Sequence, residues 1–367
     1  MTAAAGACFL PAPAPNLPRR RASTSTLYPS TSSSCSWKQA PIARPGRLLP
    51  LVRRAPVAAA SLEISHDKGS EMSGTNIVGQ NDLLIVGPGV LGRIVAEKWQ
   101  KEHPGCKVFG QTASTDHHSE LANIGIIPSL KCSNISQKVP YVIFCAPPSR
   151  SDDYPGDARV ATSNWSGEGS FLFTSSTALY DCSDNELCNE DCPSVPIGRS
   201  PRTDVLLNVE NVVLDAGGCV LRLAGLYISS IMDICYFYNI SLTWTHKIDR
   251  GAHTFWLRKG TLDSRPDHVV NQIHYEDAAS LAIAIMKKRP WGQIFLGCDN
   301  EPLSRSLITI FSTSNSVVRL CKVIYCAMLS FGTDGPLGKR MENSKTRAEI
   351  GWEPKYPSFR EFLGVSS

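Results

Sequence analysis

A glycine-rich loop is the feature of this sequence whose residue types and spacing point most directly to chemistry. It lies between an apolar run at 82–86 and an amphipathic stretch at 93–102, and it reads Gly87-Pro88-Gly89-Val90-Leu91-Gly92. In such a loop the first glycine permits a tight turn, the second leaves room for a pyrophosphate, and the third lets the helix pack on the strand. Amide groups at the helix N-terminus would then bind the phosphates. The alternative is a turn that only packs well.

The residues after a second predicted strand, at 107–110, bear on which dinucleotide would bind. Gln111 and Thr112 follow this strand, and the nearest acid, Asp116, lies beyond its end. An acid at the strand end would hold the ribose 2′-hydroxyl of NAD, whereas an arginine there would accommodate the 2′-phosphate of NADP. Neither is present, and the absence of the acid favours NADP over NAD.

Elements of two kinds must position this loop. Apolar runs at 139–145, 170–174 and 219–223 predict further strands, and apolar spacing at 205–213 predicts a helix between the last two. Strands that alternate with helices predict an α/β fold in which helices cover both faces of a parallel sheet. We therefore expect a Rossmann-like doubly wound sheet with a small C-terminal lobe.

Length and composition exclude several classes of protein. The chain has 367 residues, of which 42% are hydrophobic and 19% charged, so it can bury a sizeable core and is neither wholly disordered nor collagen-like. Its net charge of +4 gives no general nucleic-acid footprint. The chain contains no apolar run long enough for a membrane span. We expect neither nucleic-acid binding nor stable membrane insertion.

The first 62 residues differ in charge from the rest of the chain. They contain seven Arg, one Lys, twelve Ser or Thr and no acid. This composition is typical of an organelle transit peptide, and its prolines favour a plastid over a mitochondrial signal. We expect a disordered transit peptide at 1–60, a linker at 61–80 and a location in the chloroplast stroma. The alternative is a basic tail that stays attached.

Five motifs in order carry a resemblance to a known family. They are LIVGPGVLG at 84–92, FTSSTALY at 173–180, CVLRLAGLY at 219–227, IHYEDA at 273–278 and GWEPKYPSF at 351–359. Together they resemble the extended short-chain dehydrogenase/reductase superfamily. More narrowly, the chain is similar to the plant plastid NAD(P)-binding Rossmann-fold proteins of its atypical, NAD-dependent epimerase/dehydratase-like branch, which the G-x-G-x-x-G spacing matches.

The resemblance implies an NAD(P)-binding domain at 81–305 and a C-terminal lobe at 306–367. It places Ala146, Pro147 and Pro148 over the nicotinamide ribose, although a proline there also simply ends a strand. It places Ser176 and Thr177 at the substrate oxygen. Tyr180 is a possible substitute acid, whose other interpretation is a packed side chain. The residues expected at the substrate are Arg202, Arg250 and His253.

One part of the family's chemistry is missing. Catalysis there uses a Tyr and a Lys four residues apart on the helix after the serine strand, so that the Lys lowers the pKa of the phenol. Counting back from Glu210, Arg202 stands at the Tyr position and Leu206 at the Lys position. Arg202 could bind an anion, or it is a solvated helix residue.

We therefore expect an NAD(P)-binding oxidoreductase or epimerase-like enzyme of atypical mechanism, with an unidentified small molecule as substrate and a homodimer as its assembly. The alternative is a catalytically silent dinucleotide-binding protein that reports redox state to a partner.

Three cysteines, Cys182, Cys188 and Cys192, share an acidic segment. Soft ligands at this spacing could bind zinc or act as redox thiols. The C-x5-C-x3-C pattern matches no standard zinc module, so we predict an exposed variable loop and assign no metal.

Two apolar segments, at 228–246 and 306–330, do not fit the family pattern. We hypothesise that both derive from retained or misread introns, because an exposed apolar insert is an aggregation hazard. The alternative is a surface that contacts a membrane or a partner.

Overall fold

The computed structural model describes residues 78–131, 137–228, 261–262, 265–308, 330–331 and 334–362. All of them belong to one compact unit, Ser73–Ser367, whereas a second unit, Met1–Met72, lies outside the described residues. Also outside are the predicted leader at 1–60, most of the predicted linker, residues 229–246 and 309–329 of the two apolar segments, and both Arg250 and His253. The predictions made for these residues stay predictions.

A sheet of seven parallel strands forms the centre of the described unit. In spatial order its strands are β3 (Ile126–Leu130), β2 (Val108–Thr112), β1 (Leu83–Val86), β4 (Val139–Phe144), β5 (Trp165–Ser176), β7 (Cys219–Leu223) and β12 (Ile294–Gly297). The strand order reverses between β1 and β4, which is the doubly wound arrangement. The predicted Rossmann-like α/β fold is confirmed.

Six helices accompany the sheet among the described residues. They are α1 (Val90–Glu102), α2 (His118–Asn123), α3 (Tyr154–Ser163), α4 (Pro201–Asp215), α5 (Tyr275–Lys288) and α6 (Ser344–Ile350). Single helical turns occur at Pro148–Arg150, Thr177–Leu179 and Phe359–Phe362. Within this part of the chain, no helix is long and apolar enough to cross a membrane.

Alternate side chains of each central strand pack on opposite layers of helices. In β1, Leu83 and Ile85 belong to one core cluster, which also holds Trp99 of α1 and Leu281 of α5. Leu84 and Val86 belong to a second cluster with residues of α3 and α4, such as Val209. Because successive side chains of a strand point to opposite faces, a continuous apolar run buries both faces. Helices therefore cover both sides of the sheet, as predicted.

Short strand pairs attach the C-terminal residues to this body. β6 (Glu186–Cys188) pairs with β15 (Lys339–Met341), and β8 (Gly225–Tyr227) pairs with β11 (Gln272–His274). The other pairs are β9 (Thr261–Leu262) with β14 (Ser330–Phe331) and β10 (Val269–Val270) with β13 (Leu303–Ser304). The amide side chain of Asn343 donates to the carbonyls of Leu296 and Cys298 at 3.2 and 3.0 Å. The C-terminal residues are thus anchored at the edge strand β12.

The buried carboxylate of Asp277 makes a second such anchor. It accepts hydrogen bonds from the backbone amides of Lys355 and Tyr356 at 2.8 and 2.9 Å. The predicted boundary at 305–306 stays a prediction, because residues 309–329 are not described.

The predicted strands and helices all form, and further elements join them, among them β3, α3 and α5. β3 escaped prediction because Pro128 and Ser129 interrupt its apolar pattern at the sheet edge. α3 contains Pro155 and Gly156 in its first turn, where Asp153 accepts a hydrogen bond from the Gly156 amide at 2.9 Å. α5 begins within one of the family motifs, and its apolar face packs on the sheet.

Candidate functional site

The glycine loop connects β1 to α1, and its three glycines have different neighbours. Gly87 has a φ of +79°, and a Cβ atom there would lie 2.5 Å from the Cα of Ala146. A Cβ atom on Gly92 would lie 2.9 Å from Cγ2 of Ile85 on β1. At Gly89 the nearest atom would be 4.0 Å away, so that position faces open space. This is the division of roles that a pyrophosphate-binding loop requires.

The N-terminus of α1 points its free amide groups at that open space. Gly89 is the N-cap and has no side chain to satisfy them, and the first turn of the helix has no acidic residue. Free N–H groups and the positive end of the helix dipole favour a bound anion. The remaining loop residues pack: Pro88 and Leu91 are buried, and Val90 is half-buried against the core.

A cavity of about 430 Å³ opens beside the loop, at the carboxyl ends of β1, β2 and β4. Gly87, Gln111, Ala146 and Pro147 line it, so the fold brings together four of the predicted cofactor-binding residues. The amide nitrogen of buried Gln111 has no hydrogen-bond partner among the described residues. A buried donor that is left unpaired costs free energy, so a polar ligand in the cavity would satisfy it.

The loop residues 88–92 do not line this cavity, and neither do two predicted cofactor-binding residues outside the loop. The hydroxyl of Thr112 donates at 2.8 and 3.2 Å toward the carbonyls of Ser114 and Ser129. Pro148 begins the helical turn Pro148–Arg150. Both stabilise the loops around the cavity and are not part of its lining.

Charged residues that the sequence analysis did not select line the same cavity. Lys131 follows β3, Arg150 follows β4, and Asp157 belongs to α3. The Lys131 ammonium lies 3.2 Å from the Asp157 carboxylate. Arg150 is exposed and forms no ion pair with any residue in the described ranges. The cavity therefore carries a net positive charge, supplied by strand ends that only the parallel sheet brings together.

The serine strand ends at the same edge of the sheet. Ser176, the last residue of β5, accepts a hydrogen bond from the Ala178 amide at 3.2 Å and so caps the turn Thr177–Leu179. The carbonyl of Thr177 accepts a hydrogen bond from the Lys339 ammonium at 3.0 Å. Both hydroxyl residues are half-buried at the strand end, where the family resemblance placed them.

Tyr180 is packed under this turn. Its side chain is 1% exposed, and the Arg222 guanidinium lies over the ring at 4.5 Å from the centroid. Burial raises the pKa of Tyr180 well above its usual value. Both observations argue against an exchange of protons with a substrate and favour the packed interpretation of this residue.

The helix α4 carries the two positions that the sequence analysis matched to the family's Tyr and Lys. Arg202 lies exposed in its first turn, whereas Leu206 is buried in the core. One turn further, the buried Glu210 carboxylate accepts hydrogen bonds from Arg222 at 2.6 and 3.0 Å and from Ser175 at 2.6 Å. Arg222 also donates to the Ser194 hydroxyl at 2.7 Å. This buried network joins α4 to β5 and β7.

His274 also has a structural role, because its side chain caps a helix. It is buried, and its Nδ1 accepts a hydrogen bond from the Glu276 amide at 3.2 Å, which caps α5. Burial, together with the charge of Lys355, lowers the pKa of His274 to about 3. The imidazole is therefore neutral at physiological pH.

Comparison with solved structures shows which proteins share this fold. The chain is similar to MoeE5 in complex with UDP-glucose and NAD, with 14% identity and a TM-score of 0.57 over 77% of this chain and 96% of that one. It is similar to dTDP-glucose 4,6-dehydratase from Bacillus anthracis str. Ames in complex with NAD, with 13% identity and a TM-score of 0.56 over 77% and 94%.

A third similar structure is UDP-N-acetylglucosamine 4-epimerase from Bacillus cereus, with 14% identity and a TM-score of 0.54 over 75% and 94%. No protein-family model matches this sequence, and no curated protein matches it. The fold is thus that of the NAD-dependent epimerase/dehydratase structures, as the motif resemblance implied.

Proposed function

We propose that this protein binds a nicotinamide dinucleotide at the carboxyl edge of its sheet and acts as an oxidoreductase or epimerase-like enzyme of atypical mechanism. The glycine loop carries the proposal: Gly87 allows the close approach to Ala146, and Gly89 faces open space at the N-terminus of α1. The similar structures that contain NAD support this class of cofactor.

Different residues of the site would have different roles in such an enzyme. The amides at the start of α1 would bind the pyrophosphate, and Gln111 would offer its unpaired amide to the nucleotide. A nicotinamide dinucleotide supplies hydride transfer when it is bound. The hydroxyls of Ser176 and Thr177 would hold the reacting oxygen of the substrate. Arg202 is exposed at the start of α4 and is our candidate for binding an anionic part of it.

A fluorescence titration of the full chain with NADPH and with NADH tests the proposal. We expect saturable binding that Gly89→Asp abolishes, because the new carboxylate would repel the pyrophosphate. The variant should fold normally, as shown by circular dichroism, since a Cβ atom at Gly89 meets no neighbour. Absence of binding by the folded wild-type protein would refute the proposal.

The finer proposal is a preference for NADP. No acid lines the cavity at the end of β2, and Lys131 and Arg150 add two cations against the single carboxylate of Asp157. Cations suit a 2′-phosphate, and an exposed arginine can contact it through two parallel hydrogen bonds. The tighter dinucleotide in the titration decides between NADP and NAD.

The second candidate function is a catalytically silent dinucleotide-binding protein. The exposed Arg202, the buried Leu206 and the buried Tyr180 favour it, because none of them replaces the missing Tyr-Lys pair. A screen of carbonyl and sugar-nucleotide substrates distinguishes the two. Turnover that the double variant Ser176→Ala, Thr177→Ala abolishes would establish an enzyme; binding without any turnover would favour the silent protein.

The location in the chloroplast stroma also stays a proposal. It is supported by the acid-free, Arg- and Ser-rich composition of residues 1–62. A fluorescent protein fused behind these residues should accumulate in chloroplasts, and cytosolic fluorescence would contradict the proposal. The homodimer is a further proposal that sedimentation of the purified chain would test.

A further inference from the structure

Three thiols of the segment 182–192 meet in the structure. The Sγ atoms of Cys182, Cys188 and Cys192 all lie within 4.8 Å of one another. Among the residues that the structure describes, no other group of three or more histidine, cysteine or acidic side chains converges in this way. The thiol cluster, as we name these three residues, was predicted to be an exposed variable loop. That prediction fails for Cys188, which is fully buried.

Each cysteine of the thiol cluster is held by its own backbone anchor. Cys188 ends β6, which pairs with β15 so that Cys188 faces Met341. Cys182 follows Asp181, whose amide donates to the Pro193 carbonyl at 2.8 Å. Cys192 closes a turn in which its amide donates to the Asn189 carbonyl at 3.2 Å. A separate backbone contact thus holds each of the three cysteines, and together these contacts keep the sulfur atoms close to one another.

Two groups beside the thiol cluster favour thiolate sulfur. The Asn189 amide donates to Cys192 Sγ at 3.5 Å, and a hydrogen bond from a backbone amide favours a thiolate. The Lys339 ammonium lies close by, where it donates to the carbonyls of Thr177 and Tyr180 at 3.0 and 2.5 Å. Burial raises the pKa values of the Cys182 and Cys188 thiols, and the charge of Lys339 partly opposes this rise. Lysine can therefore offset the net negative charge of three thiolates around one divalent cation.

We propose that Cys182, Cys188 and Cys192 bind a single thiophilic d10 metal ion, Zn²⁺ or Cu⁺, through their three sulfur atoms. Three metal–sulfur bonds form as three thiol protons leave to solvent, and no atom changes oxidation state. Zn–S bonds of about 2.3 Å place tetrahedral sulfur ligands about 3.8 Å apart. The sulfur atoms thus need to approach by at most about an ångström. The fourth position of a tetrahedral ion is left for an external ligand.

A bound ion would connect the thiol cluster to the edge of the candidate active site. Cys182 lies two residues beyond Tyr180, and Lys339 bridges from the cluster to the turn that follows Ser176. The ion would therefore stabilise the segment 181–192 and the turn together. This inference does not rest on dinucleotide binding, because none of the three cysteines lines the cavity.

Metal analysis of the purified full chain tests the proposal. The protein is reduced, stripped with a chelator and titrated separately with Zn²⁺, Cu⁺ and the spectroscopic probe Co²⁺. We expect one ion per chain by elemental mass spectrometry, a thiolate-to-cobalt charge-transfer band and a raised melting temperature. Competition with a Zn²⁺ chelator and with a Cu⁺ chelator identifies the preferred ion.

Serine variants assign the ligands. Cys182→Ser and Cys192→Ser should each weaken binding at least tenfold and remove the charge-transfer band, and Cys188→Ser should do so if it folds. The matched control is Cys106→Ser, a half-buried thiol outside the cluster, which should bind as the wild type does. A folded protein that takes up no ion while all three thiols react freely would overturn the proposal. So would a disulfide between two of the three in the protein as isolated under metal-replete conditions.

Discussion

Gly87 lies so close to Ala146 that a Cβ atom on the glycine would be 2.5 Å from the alanine Cα atom and 2.6 Å from its nitrogen. The two residues lie just beyond the ends of β1 and β4, the neighbouring strands between which the strand order of the sheet reverses. In open α/β sheets, ligands bind in the crevice at this reversal. The close contact therefore shapes one wall of the cavity that we assign to the dinucleotide.

Gly87→Ala and Gly89→Ala form a matched pair that separates folding from binding. Gly87→Ala should lower the free energy of unfolding by about 2 kcal/mol or more. The alanine would have to adopt a left-handed φ, and its Cβ atom would clash with the backbone of Ala146. Gly89→Ala should cost only a few tenths of a kcal/mol, because its φ of −76° suits alanine. It should nevertheless weaken NADPH binding, since the methyl group enters the open space. Urea denaturation measures the stability of the two variants, and fluorescence titration measures their NADPH binding. Equal losses of stability in Gly87→Ala and Gly89→Ala would contradict the roles that we assign to the two glycines.

The charges in the cavity predict the cofactor preference. Arg150→Ala and Lys131→Ala should each weaken NADPH binding roughly five- to tenfold, in line with about 1 kcal/mol for a solvent-exposed charged contact. Neither should change NADH binding by as much as twofold, because NADH lacks the 2′-phosphate. The counterpart is Asp157→Asn, which should strengthen NADPH binding by removing a negative charge. If the three variants shift both cofactors equally, these residues do not read the 2′-phosphate.

The buried pair of Glu210 and Arg222 predicts a large loss of stability. Arg222→Met should reduce the free energy of unfolding by about 3–5 kcal/mol, because it leaves the Glu210 carboxylate buried without its partner. The double variant with Glu210→Leu should recover part of this loss. The exposed pair of Arg199 and Asp181 is the control, and Arg199→Met should cost less than about 1 kcal/mol. A double variant that is less stable than Arg222→Met would contradict this explanation.

His274 predicts how stability depends on pH. Its pKa is lowered to about 3 in the folded protein, whereas an unfolded histidine titrates near 6.5. The unfolded chain therefore binds more protons between these values, and stability falls as the pH decreases below about 6.5. By pH 5 the contribution of His274 to this loss is roughly 2 kcal/mol.

His274→Asn keeps a hydrogen-bond acceptor for the α5 cap but cannot titrate in this range. We expect its denaturation midpoint to change less between pH 7 and pH 5 than that of the wild type. The control His117→Gln removes an exposed histidine that pairs with Glu120 at 3.2 Å, and it should change the pH dependence less than His274→Asn does. An unchanged pH dependence in His274→Asn would show that other groups cause the acid sensitivity.

The periodicity of apolar residues was sufficient to predict the fold, and the spacing of three glycines predicted the turn between β1 and α1. The run that forms β1 is buried on both faces, and such runs alternating with amphipathic helices have few packing solutions. The spacing of Gly87, Gly89 and Gly92 is a local property, so the turn that they form could be inferred without tertiary contacts. The prediction that α4 lacks the family's Tyr-Lys pair also came from counting residues along the helix, and it stays a prediction.

The tertiary structure alone decided which distant residues meet. Lys131, Arg150 and Asp157 follow or belong to different elements, and they reach one cavity because parallel strands end at the same edge of the sheet. Of the three cysteines that converge, Cys188 is held by the pairing of β6 with β15, a contact between segments about 150 residues apart. Local pattern determines which elements form, because it depends on neighbours along the chain. Long-range packing determines the charge and ligand content of a site, because it depends on neighbours in space.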